Sequence, residues 1–407
     1  MTELRSFAAE GADTASVLNR LQDDIQRAAI DPCFAAIFYG CSHDDEAIRS
    51  RIGQLWPRAA VIGGTSCSGV MTGAGNLGAQ AIGVLAIDDP AGDYGVAAGE
   101  LAGDAAAAAA ALLRQALRDA DCPGELPELI WIYQAPGREE EVIAGLRQVV
   151  GDRCPIIGGS SADDDVAGNW RQLGRDAVYR DGLAVAALFP SGGVGHAFQG
   201  GYQPAGALGI VTSVVDDAAA GTYGRARRGR RIRTIDHQPA AEVYNIWVGN
   251  RLAPKLRGGG NILVDTTVCP LGIEAGRIEG MPHYRLVHPD SIAPDGSITT
   301  FAVVEEGARI HAMRGDKRRL VDRAGRVATA AASGLSGGKA RLAGGLMVYC
   351  AGCKIAVGDQ MPEVAEEVRN SFGGQPFIGC FTFGEQGNMF DQNIHANLMI
   401  SAIAFGR

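Results

Sequence analysis

Ala60-Val-Ile-Gly-Gly-Thr-Ser66, Pro155-Ile-Ile-Gly-Gly-Ser-Ser161 and Pro376-Phe-Ile-Gly-Cys-Phe-Thr382 are three copies of one phrase, and their reading decides the fold. Each is an apolar run that stops abruptly at small residues and hydroxyls. The run reads as a short buried strand. Glycine at its end permits positive φ and close backbone approach, and the hydroxyls can bond to backbone or to a ligand. Each copy follows a helix-like stretch: Asp45 to Leu55, Glu139 to Val150, and Glu363 to Ser371. The repeated unit is therefore helix, strand, then a Gly/Ser/Thr elbow. Three elbows in one chain predict a scaffold whose strand ends converge on a site. The alternative is that each is only a tight turn at a strand end.

Around the elbows, Phe34 to Tyr39 and Leu129 to Tyr133 read as compact strands. Asp104 caps a helix that opens with seven alanines, the best helix former. Strand-like runs with glycine turns follow from Ala177 to Ser213. Pro239 to Gly249 and Val327 to Ala332 read as helices, and Ile394 to Phe405 as a final strand. The mixture predicts an α/β chain of two mixed-sheet domains, residues 1–220 and 221–407, built on pseudo-repeated helix–strand–elbow units. Arg225 to Arg233 carries six arginines in nine residues and reads as a seam between the domains.

The chain has 407 residues, 46% hydrophobic and 20% charged, ordinary for a globular protein with a large core. Its 57 glycines show no Gly-X-Y period and belong to turns. A net charge of −9 argues against nucleic-acid partners. No apolar run approaches the roughly 18 residues of a membrane span. Nine scattered cysteines and no signal-like N-terminus predict a reducing cytoplasm with free thiols.

Several motifs are decoys. Gly73-Ala-Gly-Asn-Leu-Gly78 matches a dinucleotide fingerprint, but a strand follows where a helix must open. Gly334-Leu-Ser-Gly-Gly338 follows a helix, not the strand that a nucleophile elbow requires. Cys350-Ala-Gly-Cys353 is a lone CxxC, without a second pair for zinc. Asp163-Asp-Asp165 suits a solvated loop better than a cation. His283, His288 and His395 lie beside predicted strands, and any one of them can serve as an axial haem ligand. Asn393, His395 and Asn397 alternate along one strand face.

The ordered motifs resemble the FIST family, with its paired FIST-N and FIST-C domains. The N-terminal signature is carried by Ile62-Gly-Gly-Thr-Ser66-Cys-Ser-Gly69 and Ile157-Gly-Gly-Ser-Ser161-Ala-Asp163. The C-terminal signature is carried by Ile235 to Tyr244, Asp295 to Ile298, Glu306-Gly307, Tyr349 to Gly352 and Phe377 to Glu385. Two residues depart from the pattern: Cys353 stands where the family usually has Arg, and Cys380 where an aromatic or aliphatic residue is common.

The resemblance implies a small-ligand sensor of bacterial signal transduction. It would act through a separate histidine kinase or cyclic-di-GMP enzyme. Some members look like haem-binding nitric-oxide sensors. The predicted ligand residues are Gly63, Gly64, Thr65, Ser66, Gly158, Gly159, Ser160, Ser161, Cys350, Cys380, Thr382, Gly384 and Glu385. A further alternative is an enzyme with Cys350 or Cys380 as nucleophile, Lys354 being the nearest cation to Cys350 in sequence.

Overall fold

A computed structural model describes residues 2–215 and 229–407. Arg225, Arg227 and Arg228 of the arginine run, and the expected 220/221 domain boundary, lie outside the described residues. The protein is α/β with mixed sheets, and the elbow units organise it.

Three units share one order of elements. The first runs strand Glu3–Glu10, helix Thr14–Ala28, strand Phe34–Tyr39, helix Asp45–Leu55, elbow strand Ala60–Thr65, a hairpin, and strand Ala81–Asp88. The second repeats this order from Asp93–Glu100 to Gly182–Phe189, with its elbow strand at Ile156–Ser160. The third opens with Val194–Gly200 and continues at helix Lys317–Ser333 and strand Leu342–Cys350. It ends with the elbow strand Phe377–Thr382, a hairpin and strand Met399–Gly406. Between its first strand and its first helix lies a nine-stranded antiparallel sheet.

In each unit the elbow strand runs parallel to the strand before its helix, the geometry that a helical crossover produces. Period-two alternation then sorts the side chains. Ala35, Ile37 and Tyr39 face the first unit's helices, while Phe34, Ala36 and Phe38 face inward. The inward set meets Leu129, Trp131 and Tyr133 from the second sheet and Leu346, Val348 and Ile378 from the third. Phe38 lies 6.3 Å from Trp131 and 5.2 Å from Tyr133, ring centre to ring centre. One core is thus enclosed by three sheets whose outer faces carry the helices.

Each hairpin leaves its own sheet for a neighbour's. Val70–Thr72 of the first unit pairs with Ile378 to Cys380 of the third. Glu385 and Gln386 of the third pair with Gly159 and Gly158 of the second. Gln172 and Leu173 of the second pair with Gly64 and Gly63 of the first. Strand pairing therefore crosses between the N-terminal and C-terminal parts of the sequence.

Two expected elements differ in extent. The helix read at Val327 to Ala332 begins at Lys317, capped by Asp316, which accepts from the Arg319 N–H at 2.9 Å. Its charged first turns hide the apolar stripe that starts at Leu320. The final strand is two, Gln392–Ala396 and Met399–Gly406, because Leu398 turns the chain with φ of 55°. Asn393 and His395 share the first strand, and Asn397 lies in the turn.

The Gly-Gly phrase has a steric cause. A Cβ at Gly63 would lie 1.8 Å from the Ile37 carbonyl oxygen, and one at Gly158 2.0 Å from that of Ile132. Gly158→Ala is expected to cost about 3 kcal/mol, the upper end for overpacking, because the obstructing atom is backbone. Gly53, in a helix with open space around it, supplies the control. Gly53→Ala should stabilise by about 0.5–1 kcal/mol. Urea unfolding of the two variants checks both signs.

Candidate functional site

The three elbows meet, and backbone hydrogen bonds close them into a ring. Cys67 N–H donates to the Phe381 carbonyl at 3.1 Å, Phe383 N–H to Ser160 at 3.1 Å, and Ala162 N–H to Thr65 at 3.2 Å. The donors occupy equivalent positions in the three units, as do the acceptors. Each bond runs between units, so no unit completes its own elbow.

The expected hydroxyls are all at this ring, buried, and bonded within the protein. Ser66 Oγ donates to the Gly69 carbonyl at 2.5 Å and accepts from Phe381 N–H at 2.8 Å. Thr65 Oγ1 accepts from Arg171 N–H at 2.9 Å. Ser160 Oγ donates to Glu139 at 2.9 Å. Ser161 Oγ donates to the Gln134 carbonyl at 3.1 Å and accepts from Gln172 at 2.6 Å. Gly64 and Gly159 hold the neighbouring hairpins in register, and the Gly384 carbonyl accepts from Ser160 N–H at 2.8 Å. A ligand reaching these atoms has to displace bonds already made.

Thr382 and Glu385 come together as the sequence suggests. Thr382 Oγ1 donates to Glu385 at 2.8 Å, and Met399 N–H donates to the other carboxyl oxygen at 3.1 Å. Burial pushes the Glu385 carboxyl well above its usual range, and the neighbouring Cys350 adds to this. Burial also pushes the Cys350 and Cys380 thiols up, which disfavours the thiolate that a nucleophile needs. Lys354 does not serve Cys350. Its Nζ donates to the Cys67 carbonyl at 3.2 Å and the Ser68 carbonyl at 2.5 Å, over the Phe381 ring at 3.8 Å. Burial lowers this ammonium to about 8.

A second polar cluster adjoins the ring. Arg230 donates to Glu139 at 2.8 Å and also to Glu140, and its side chain is 3% exposed. His395 Nδ1 lies 2.9 Å from Glu140, which also accepts from Val303 N–H at 2.9 Å. Burial raises both carboxyls, but Arg230, with His395 behind it, outweighs this and holds them below the usual range. Ligand atoms of Glu139, Glu140 and His395 lie within 4.8 Å of one another, a spacing that suits a metal ion. The carboxylate oxygens, however, already accept from protein donors, Arg230 among them. The sequence reading singled out His395 and saw Arg230 only within a basic run. It misses Glu139 and Glu140, since nothing local marks the first as buried or the second as half-buried.

The three candidate haem histidines sit in separate environments. Burial lowers the His288 imidazole to about 4, and its Nε2 lies 3.0 Å from the Leu263 carbonyl, a hydrogen bond only a protonated nitrogen can make. His395 is 3% exposed, with Nδ1 on Glu140 and Nε2 packed against Gly384. His283 lines a cavity of about 220 Å³, too small for a porphyrin. Asp163 organises its loop, accepting from the N–H groups of Val166, Gly168 and Asn169 at 2.7–2.8 Å. Ser336 is exposed in the turn after a helix, as its context implies.

These features define an α/β protein whose polar residues are spent on joints between repeated units. The FIST N domain pattern matches residues 33–238 and the FIST C domain pattern residues 240–388. The chain belongs to the FIST family, whose domains are sensory domains of signal transduction. No curated protein matches it significantly. Among solved structures, a cyanuric acid hydrolase from A. caulinodans aligns over 100% of both chains at 11% identity and TM-score 0.35. A second cyanuric acid hydrolase, described as arising by structural concatenation, aligns over 100% of both at 10% and 0.35. PurLQS from Thermotoga maritima covers 77% of this chain and 72% of its own at 9% and 0.19. Among the described residues, no helix is long and apolar enough to cross a membrane.

Two substitutions separate the clusters. Arg230→Met leaves two carboxylates without their guanidinium and should cost about 3–5 kcal/mol at pH 7. The native carboxyls lie below their unfolded values, so the stability they add is lost as pH falls through the acid range. The deficit of the variant should therefore shrink as pH falls below about 4.3 in urea titrations. Glu385 has the opposite sign. Its folded pKa is raised, so the unfolded chain releases the proton first and stability declines as pH rises above about 4.3. Glu385→Gln removes that decline, and melting curves from pH 5 to 8 should be flatter than those of the parent.

Proposed function

We propose that this chain is a ligand-binding sensory protein of bacterial signal transduction, acting through a separate partner such as a histidine kinase or a cyclic-di-GMP enzyme. The observation that carries the reading is the junction of the two FIST domains. The elbow ring joins FIST N to FIST C through Cys67–Phe381 and Phe383–Ser160, and beside Arg230 the Glu140 carboxylate of FIST N accepts from Val303 N–H of FIST C. A ligand that binds one pose of these joints better than another shifts the population between poses, and a partner reads the difference. The raised thiols of Cys350 and Cys380 give no support to cysteine-based catalysis.

The reading is tested by thermal melting of the full chain against amino acids, small carboxylates, nucleotides and haem. A ligand at 100 times its Kd should add about 2.7 kcal/mol of stability. A stabilising metabolite, with haem giving only the spectrum of free haem, is the expected result. A sharp Soret band that shifts with nitric oxide, with no metabolite active, would replace this reading with a haem sensor.

A further inference from the structure

Away from the elbows, a cleft of about 220 Å³ opens between the inserted sheet and the third unit. Its walls include Tyr202, Tyr284, His283, Met281 and Met389, and Arg323 closes one side. Met281 is 68% exposed at the rim, which leaves an apolar entrance.

Arg323 is the anomaly. It stands midway along helix Lys317–Ser333, half-buried, and has no carboxylate partner among the described residues. Its hydrogen bond is to a neutral group, Gln199 Oε1, at 2.7 Å. The acids nearest it on its own helix are engaged elsewhere: Asp322 with Arg318 at 2.9 Å and the capping Asp316 with Arg319 at 3.1 Å. Burial and the like charges of Arg326 and Arg319 lower its guanidinium, so the surroundings oppose the charge. A cation removed from water without a counter-charge is costly. Arg230 in the same molecule shows the ordinary solution, with two carboxylates against it.

We propose that the Arg323 cleft binds a small organic anion, an aryl carboxylate, with the carboxylate on the guanidinium and the ring between Tyr202, Tyr284 and the methionines. A guanidinium has five donors in a planar fork that matches a carboxylate in two bonds. Aromatic and thioether side chains suit a flat apolar body. The volume equals that of roughly seven waters at about 30 Å³ each, which suits a single ring with one acidic group. The cleft also touches the interior, because Tyr202 OH donates to the Thr267 carbonyl at 2.8 Å and lies 3.7 Å from Cys353 Sγ. The inference gives the sensory reading a site, and rests on that reading for its biological sense.

Benzoate, benzyl alcohol, benzylamine and inorganic phosphate are the probes, measured by calorimetric titration and melting of the full chain. Benzoate should bind and stabilise, and the alcohol and amine should not. Arg323→Met should bind benzoate at least tenfold more weakly, yet melt no lower than the parent without ligand, since an uncompensated charge has gone. Arg323→Lys keeps the charge, loses the fork, and should fall between. The site is overturned if the parent ignores benzoate at millimolar concentration, if Arg323→Met binds it undiminished, or if benzylamine matches it. Phosphate matching benzoate would overturn the aryl assignment. A metabolite that stabilises Arg323→Met and parent alike, with benzoate inactive, would sink this site and leave the sensory reading standing.

Discussion

Three backbone hydrogen bonds at the elbows govern the architecture. Each joins the end of one elbow strand to the next unit, and together they form a closed cycle. A closed cycle has no free end, so the three sheets cannot slide past one another without breaking it. Its formation requires glycines at Gly63 and Gly158, where neighbouring carbonyls lie within 2.0 Å of a hypothetical Cβ. The requirement is local, but its effect is global. The elbows must turn where they do for the hairpins to reach the adjacent sheets, and those hairpins complete the sheets around the shared core.

The Arg230 cluster is the electrostatic counterpart. Two acids at the start of helix Glu139–Val150 sit where the helix dipole favours negative charge. Packing against the inserted sheet would strand them, and Arg230 enters from that sheet's side to neutralise them. Ser160 ties the cluster to the ring through Glu139. Hydrogen-bond closure and charge closure thus share a residue, so a disturbance in the charge cluster reaches the elbow through one hydroxyl.

Much of this was legible in sequence where the cause is local. The Gly-Gly phrase recurs in the first two units because Gly63 and Gly158 meet the same backbone limit, and the Asp104 cap is satisfied by a bond three residues away. Thr382 and Glu385 meet because they too are three residues apart. The rest depends on distant partners. Arg230 and Glu139 are 91 residues apart, and His395 and Glu140 are 255 apart. No spacing rule joins such residues. The hairpin exchange was hidden for the same reason, since a short polar strand does not say which sheet it will extend. From sequence the helix at Lys317 reads short because its basic first turns obscure the apolar stripe behind them.

The contrast between the elbows and the Arg323 cleft bears on where recognition belongs in such a molecule. Hydroxyls and glycines at a strand end are chemically suited to holding a ligand, and the same properties suit them to holding another strand. At the ring the second use has been taken, and the donors and acceptors there carry bonds between units. Recognition of a ligand at those atoms would compete with the scaffold, at about 1 kcal/mol net for each bond and more where a buried group is left unsatisfied. Arg323 presents the reverse balance. Its charge is opposed by its neighbours and its donors are little used, so an anion on its guanidinium would offset that opposition. A residue whose needs the fold leaves unmet marks a ligand site better than one of suitable chemistry whose needs the fold already meets.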